Sequence, residues 1–317
     1  MRSRIDPFVV ALLAAALLAS FLPATADELE VLRFVSWVTI GLLFFLYGIR
    51  LSTPETLAGL RHWRLQVLVL ATTFIAFPLA GLAARLLEPS ILTPALASGV
   101  LLLCLVPTTV VGNVVYTRIA GGNVAAAVVC ASLSGILGVF LTPALVALLM
   151  AADATVDANS AVRIVLQLFA PYVAGQLLRP ALHGWVEHHE SRLRFFERGS
   201  IVLVVFLAFS EGAEAEIWST LSIWSVLALV VVCVALFAMA VGWTWGVGTL
   251  LRFSRADRIA VLFCGSNKSL ASGLPIASVL FSGGTLALLV LPLMIYHQFQ
   301  VIAGAFIANR LARRVPG

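Results

Sequence analysis

Phe263-Cys264-Gly265-Ser266-Asn267-Lys268-Ser269-Leu270 places a polar break and one lysine inside a long apolar run. Lys268 is the only lysine among 20 basic residues; the rest are arginines, nearly all in short polar stretches between hydrophobic runs. An ionisable group at membrane depth is expensive unless it faces a cavity or a partner, so it marks a candidate functional site. A lysine kept among arginines offers a compact ammonium that is able to change its charge.

The surroundings of that break set the fold class. A chain that is 61% hydrophobic and 11% charged, with mean hydropathy +1.06, is not a soluble globular protein. A membrane helix needs about 20 apolar residues. Ten apolar runs are readable, at 8–23, 32–51, 65–87, 92–118, 123–150, 161–183, 197–211, 221–251, 257–281 and 286–309. The expectation is an all-α polytopic membrane protein whose first partner is the lipid bilayer. Leu182–Gly199, with His183, His188 and His189, reads as a solvated loop or an amphipathic helix end. Cys104, Cys130, Cys233 and Cys264 all fall in apolar runs and read as small core residues, not disulfides. Arg2 and Arg4, an apolar run and Ala24-Thr25-Ala26 have the layout of a signal peptide. Leu22-Pro23 lies close to the next span, however, and the repeat described below needs this segment, so it is read as retained.

Charge asymmetry gives an orientation. With the N-terminus in the cytoplasm, the inner side receives most of the arginines, including Arg61, Arg64, Arg192, Arg194, Arg252, Arg255, Arg313 and Arg314. Only Arg33, Arg85 and Arg163 fall outside, among Asp27, Glu28, Glu30, Asp153, Asp157, Glu214 and Glu216. This is a positive-inside pattern with both termini cytoplasmic. It accounts for the net charge of +5 without a nucleic-acid partner.

The chain repeats weakly at an offset of 162 residues, which aligns Thr117–Ala125 with Val279–Ala287 and Gly121-Gly122 with Gly283-Gly284. Five spans precede the end of each half, so the second half enters the membrane inverted, the plan of many secondary transporters. The expected halves are 1–155 and 156–317. The fourth span of each is broken. In the first half the break is Leu105-Val106-Pro107-Thr108-Thr109-Val110-Val111-Gly112-Asn113. Pro107 cannot donate to the helix ladder, and Gly112 loosens the chain. In the second half Gly265 precedes Ser266, Asn267, Lys268 and Ser269. Broken helices persist in hydrocarbon only where they are buried or line a cavity. The two breaks are therefore expected to meet and build one site.

Further candidates are Asn123, Ser132 and Ser134 in span five, His297, Gln298 and Gln300 in span ten, and Glu211 at the end of span seven. His297 is read either as a proton carrier, since imidazole titrates near neutral pH, or as a hydrogen-bonded structural residue. Glu211 is expected to balance Lys268 or a substrate, with Glu214 and Glu216 at a solvated outer mouth.

Leu105–Val110, Ala120–Ala127, Phe263–Ala271, Phe209-Ser210-Glu211, Leu291–Ile295 and His297-Gln298 together resemble the SBF-like branch of the bile acid:sodium symporter superfamily, over essentially the whole chain. That branch includes the seventh member of vertebrate solute carrier family ten and bacterial homologues. The resemblance implies ten transmembrane helices, with spans 1, 2, 6 and 7 in a panel domain and 3–5 and 8–10 in a core. Broken spans four and nine cross in the core, and access alternates as the domains move. It also implies a plasma membrane location, the inner membrane in bacteria.

In the sodium-coupled branch an acid in span nine helps to hold cations. Here 258–281 contains no Asp or Glu, although a hard cation favours several oxygen ligands and usually a carboxylate. Thr108, Thr109, Asn113, Asn123, Ser132 and Ser134 remain as oxygen donors, with Thr108, Asn113, Asn123 and Ser132 the sodium candidates. Lys268 is expected to stand where relatives bind sodium, as a proton carrier or a fixed counter-ion. No cofactor is expected beyond sodium or a proton as coupling ion. The function expected is secondary transport of a small organic solute, anionic by the charge of the site. Two other classes remain: a non-transporting regulator with this fold, and an intramembrane hydrolase with a dyad of Lys268 and Ser266 or Ser269. The residues specify neither the solute nor an oligomeric state.

Overall fold

A computed structural model describes residues 7–50, 62–150, 165–281 and 283–313, and every regular element among them is helical. In chain order these are α1 (Pro7–Phe21), α2 (Ala26–Arg50), α3 (Trp63–Leu87), α4 (Pro94–Leu105), α5 (Val111–Ile119) and α6 (Val124–Leu149). The second half follows with α7 (Ala170–His188), entered through a π-helical turn at Val165–Phe169, then α8 (Glu190–Glu214), α9 (Ile223–Leu250), α10 (Arg255–Ser266), α11 (Leu270–Leu280) and α12 (Thr285–Ala312). α2, α3, α6, α9 and α12 are each long and apolar enough to cross a membrane. Arg2, Arg4, Arg61, Arg163, Arg314, Asp153 and Asp157 lie outside the described residues.

One boundary differs from the sequence expectation, and one reading left open there is decided. α2 begins at Ala26, not near 32, because its acidic start is a helix cap. Glu28 accepts bonds from the Thr25 amide at 2.8 Å and the Thr25 hydroxyl at 2.9 Å, and Asp27 and Glu28 complement the positive helix end. The polar stretch around His183, His188 and His189 is not a loop but the meeting of two helix ends, α7 and α8. Pairs one turn apart support it, His183 with Glu187 at 3.3 Å and Glu190 with Arg194 at 3.5 Å.

The chain forms two compact units, each drawing elements from both sequence halves. The first contains 1–51, 147–222 and 274–290. In it α2 packs on α7 and α8, and α1 on α8. Gly48 and Gly175 let α2 and α7 approach at backbone distance: a Cβ at Gly48 would lie 2.2 Å from the Tyr172 carbonyl oxygen, and one at Gly175 would lie 2.1 Å from that of Phe45. Small residues at such seams are how helices associate in lipid. α2 and α8 run antiparallel, joined at one end by Arg33–Glu211 at 2.6 Å and at the other by Arg50–Glu197 at 2.8 Å.

The second unit contains 52–146, 223–273 and 291–317. α10 packs on α9, α3 and α5, and α3 packs on α4. Its core includes Val100–Val106 and Ile259–Cys264, all buried.

Candidate functional site

α4 ends at Leu105 because Pro107 has no N–H and forces Val106 out of the helical region, to φ −79°, ψ 153°. Asn267 leaves the helix in the same way at the end of α10, with φ −88°, ψ 149°. The breaks are thus Val106–Val110 and Asn267–Ser269. Gly112 lies in the first turn of α5, and Gly265 lies inside α10. Gly265 is there for packing, since a Cβ would meet Thr244 Cγ2 at 2.5 Å. Neither glycine forms the break expected of it.

The two breaks meet. The Ser269 amide donates to the Pro107 carbonyl at 2.8 Å. Lys268 is fully buried, and its Nζ donates to the carbonyls of Val106 (2.9 Å), Cys104 (3.1 Å) and Thr73 (3.2 Å). The Phe77 ring lies under it, 4.0 Å from Nζ to the centroid, a cation–π contact. Two of these carbonyls belong to the C-terminal end of α4, where helical acceptors are left over and the helix dipole is negative.

The third has a separate origin. α3 passes through a π-helical turn at Thr72–Ala76, where the Phe77 amide bonds five residues back to Thr72. The next bond in that register would join residue 78 to Thr73, but residue 78 is proline. Its missing N–H leaves the Thr73 carbonyl for Lys268. An ammonium has three N–H donors and meets three acceptors.

Further backbone groups at the breaks are matched by side chains. Thr142 Oγ1 donates to the Leu105 carbonyl at 2.8 Å, and the Thr108 amide donates to Ser134 Oγ at 3.2 Å. Tyr296 donates to the Ser266 carbonyl at 2.5 Å. Gln300 grips both faces of one residue: its Oε1 accepts from the Lys268 amide at 2.7 Å, and its Nε2 donates to the Lys268 carbonyl at 2.8 Å. Asn113 Nδ2 donates to Thr108 Oγ1 at 2.9 Å, and Asn113 Oδ1 accepts from Asn267 Nδ2 at 2.7 Å. Asn267 Oδ1 is buried without a hydrogen-bond partner among the described residues.

The structure therefore gathers Lys268, Asn267, Thr108, Asn113 and Ser134, with Thr109 half-buried beside them. Others take local roles. Ser266 Oγ bonds back to Leu262 at 2.7 Å, and Ser269 Oγ caps α11 through the Ser272 amide at 3.2 Å. Neither hydroxyl is paired with the lysine, which removes the geometry of a Ser–Lys dyad. Asn123 caps α6 through the Ala126 amide at 3.0 Å and ties it to α10 through Asp257 at 2.8 Å. Its amide is thus spent at helix ends, which departs from the expected sodium set of Thr108, Asn113, Asn123 and Ser132.

Ser132 is half-buried on α6. His297 Nδ1 lies 3.0 Å from Gln300 Nε2, and Gln298 Nε2 is buried without a hydrogen-bond partner. Glu211 is 6% exposed and paired with Arg33, so the cation that it balances is Arg33 and not Lys268. Gln300, a span-ten candidate, joins the site through the Lys268 backbone, whereas Thr73, Phe77, Thr142 and Tyr296 enter it from outside the candidate residues. Pro78 within a long span and the run Tyr296-His297-Gln298-Phe299-Gln300 are the signals that point to most of them.

A family model described as the SBF-like CPA transporter family matches residues 6–313. The chain belongs to this family. It is 45% identical to the uncharacterised Pseudomonas aeruginosa protein PA2026, over 98% of this chain and 93% of that one. It is 41% identical to the Escherichia coli K12 protein named "Putative symporter YfeH", over 98% and 94%. The mouse protein named sodium/bile acid cotransporter 7 is 28% identical over 86% of this chain and 81% of its own. This SBF-like protein is accordingly a multi-pass membrane transporter and not an enzyme. The meeting of its two breaks, around a lysine with no carboxylate bonded to it among the described residues, is its candidate transport site.

Proposed function

We propose that this SBF-like transporter moves a small organic anion by alternating access, with Lys268 standing where a coupling cation would bind and coupling transport to protons. The observation that carries the reading is the Lys268 ammonium on three carbonyls where two broken helices meet. Loss of its proton leaves two N–H donors for three acceptors, so charge and the geometry of the breaks change together. α5 and α11 begin at the breaks, and helix N-termini favour an anion. A sodium ion is the second reading; the unpartnered Asn267 Oδ1 beside Asn113 favours it.

Two inverted five-span repeats, 1–155 and 156–317, are part of the proposal, with a panel of spans 1, 2, 6 and 7 moving against a core of 3–5 and 8–10. Four observations support it. Shifting α4 (94–105), α6 (124–149) and α3 (63–87) by 162 lands within two residues of α10, α12 and α9. Gly121 and Gly283, equivalent under that shift, are the positive-φ glycines among the described residues, at 69° and 80°. Val106–Lys268 and Pro107–Ser269 are equivalent pairs in contact. The compact units separate α1, α2, α7 and α8 from α3–α5, α9 and α10, although 274–290 joins the first group. A bacterial inner-membrane location with both termini cytoplasmic completes the proposal.

Flux in proteoliposomes under imposed pH or sodium gradients, for the parent chain and for Lys268→Gln and Lys268→Ala, tests it. Loss of proton-driven uptake in both variants is the expected result. Unchanged coupling overturns it, sodium-dependent uptake favours the second reading, and no uptake of any anion leaves a regulator.

A further inference from the structure

The two Gln300 bonds to Lys268 fix more than the break. A side-chain amide is ambiguous between its oxygen and nitrogen when its neighbours are themselves ambiguous. Here the neighbours are a backbone N–H, which only donates, and a backbone carbonyl, which only accepts. Oε1 must therefore face the Lys268 amide and Nε2 its carbonyl. One hydrogen on Nε2 is spent on that carbonyl, and the second points to His297 Nδ1, 3.0 Å away. Nδ1 must accept, so its imidazole carries the proton on Nε2 and is neutral in this arrangement.

We propose that His297 is a positioning residue: as the neutral Nε2–H tautomer it holds the Gln300 amide in the one orientation that splints the backbone at Lys268, and a proton on Nδ1 releases that splint. With Nδ1 protonated, two donors face each other. Relief requires the Gln300 amide to turn over, which sets its NH2 against the Lys268 amide and its oxygen against the Lys268 carbonyl. Both backbone bonds are then lost at once. The segment of α12 around His297 is packed by α9 through Cys233 and Phe237, by α3 through Phe77, by α5 through Tyr116, and by the second break. Among the described residues the titratable groups there are Cys104, Cys233, Tyr116, Tyr296 and Lys268, of which Lys268 is the cation, and it opposes a second positive charge close by.

This inference concerns the break and does not depend on the transport reading, so its test reads no flux. In 15N-histidine spectra of the full chain in lipid nanodiscs, the signal absent from His297→Asn is assigned to His297. A protonated Nε2 and unprotonated Nδ1 at neutral pH are expected; the opposite tautomer or an imidazolium at that pH overturns the proposal. Thermal unfolding from mildly alkaline to mildly acidic pH gives the second readout. Asn at 297 presents an amide oxygen in place of Nδ1 and does not titrate, so His297→Asn should lose less stability on acidification than the parent chain. Gln300→Glu exchanges the donor for an acceptor and should reverse the preference, stabilising a protonated His297. Equal acid sensitivity in the parent chain and His297→Asn overturns the proposal, whatever proteoliposomes show for Lys268.

Discussion

Lys268 stands out in the sequence because a lone charge in an apolar run has no structural use that is cheap. Its partners do not stand out, because they are backbone carbonyls, which every residue carries. Asn113 and Asn123 show the same limit: one residue type, but one lies where the breaks meet and the other is a helix cap. The position of Asn123 just before an apolar run is itself a cap signal. Lys268→Met tests the weight of the ammonium. Removing the charge spares its desolvation, but it leaves the Thr73, Cys104 and Val106 carbonyls buried and unpaired. A buried acceptor left unsatisfied costs about 1–3 kcal/mol, so a clear fall in melting temperature in detergent is expected. Lys268→Arg should not restore it, because a planar fork does not match three acceptors around one nitrogen. A Lys268→Met protein that melts with the parent would refute this account.

At the scale of elements, the long apolar spans were readable from run length alone, while their faults were not. The π-helical turn in α3 leaves no pattern in hydropathy; only Pro78 marks it, and proline in a membrane helix is common. Pro78→Ala returns an N–H that reaches the Thr73 carbonyl in the π register and competes with Lys268. Slower hydrogen exchange over 72–82 together with slower uptake is the expected outcome; unchanged uptake would separate the π turn from function. The α2–α7 seam rests on glycine in another way, as close approach with no need for unusual backbone angles. Gly175→Ala places a Cβ against the Phe45 carbonyl. Overpacking of this kind costs about 1–3 kcal/mol. A fall in melting temperature should follow, and Gly184→Ala, which meets no atom within 4 Å, should not lower it in the same way.

For the whole molecule, span number, charge bias and an offset of 162 residues led to inverted halves, although the repeat is weak in residue identity. Under the proposed repeat, helix ends and positive-φ glycines constrain the backbone while lipid-facing side chains are nearly free to drift. The inversion is testable through α2 and α8, which the 162-residue shift makes equivalent and which run antiparallel, Arg33 meeting Glu211 and Arg50 meeting Glu197. A helix of 25 residues rises about 37 Å, enough to put its ends on opposite sides of a bilayer. The four native cysteines are buried, so single cysteines at exposed positions can be read against a quiet background. With Asp27→Cys, Glu190→Cys and Glu214→Cys, a membrane-impermeant maleimide should label 27 and 214 from outside intact cells and 190 only in inverted vesicles. Labelling of 27 and 190 from the same side would end the inverted repeat. Labelling of 190 alone from outside would keep the repeat and reverse the orientation, and the arginine asymmetry would then need another cause.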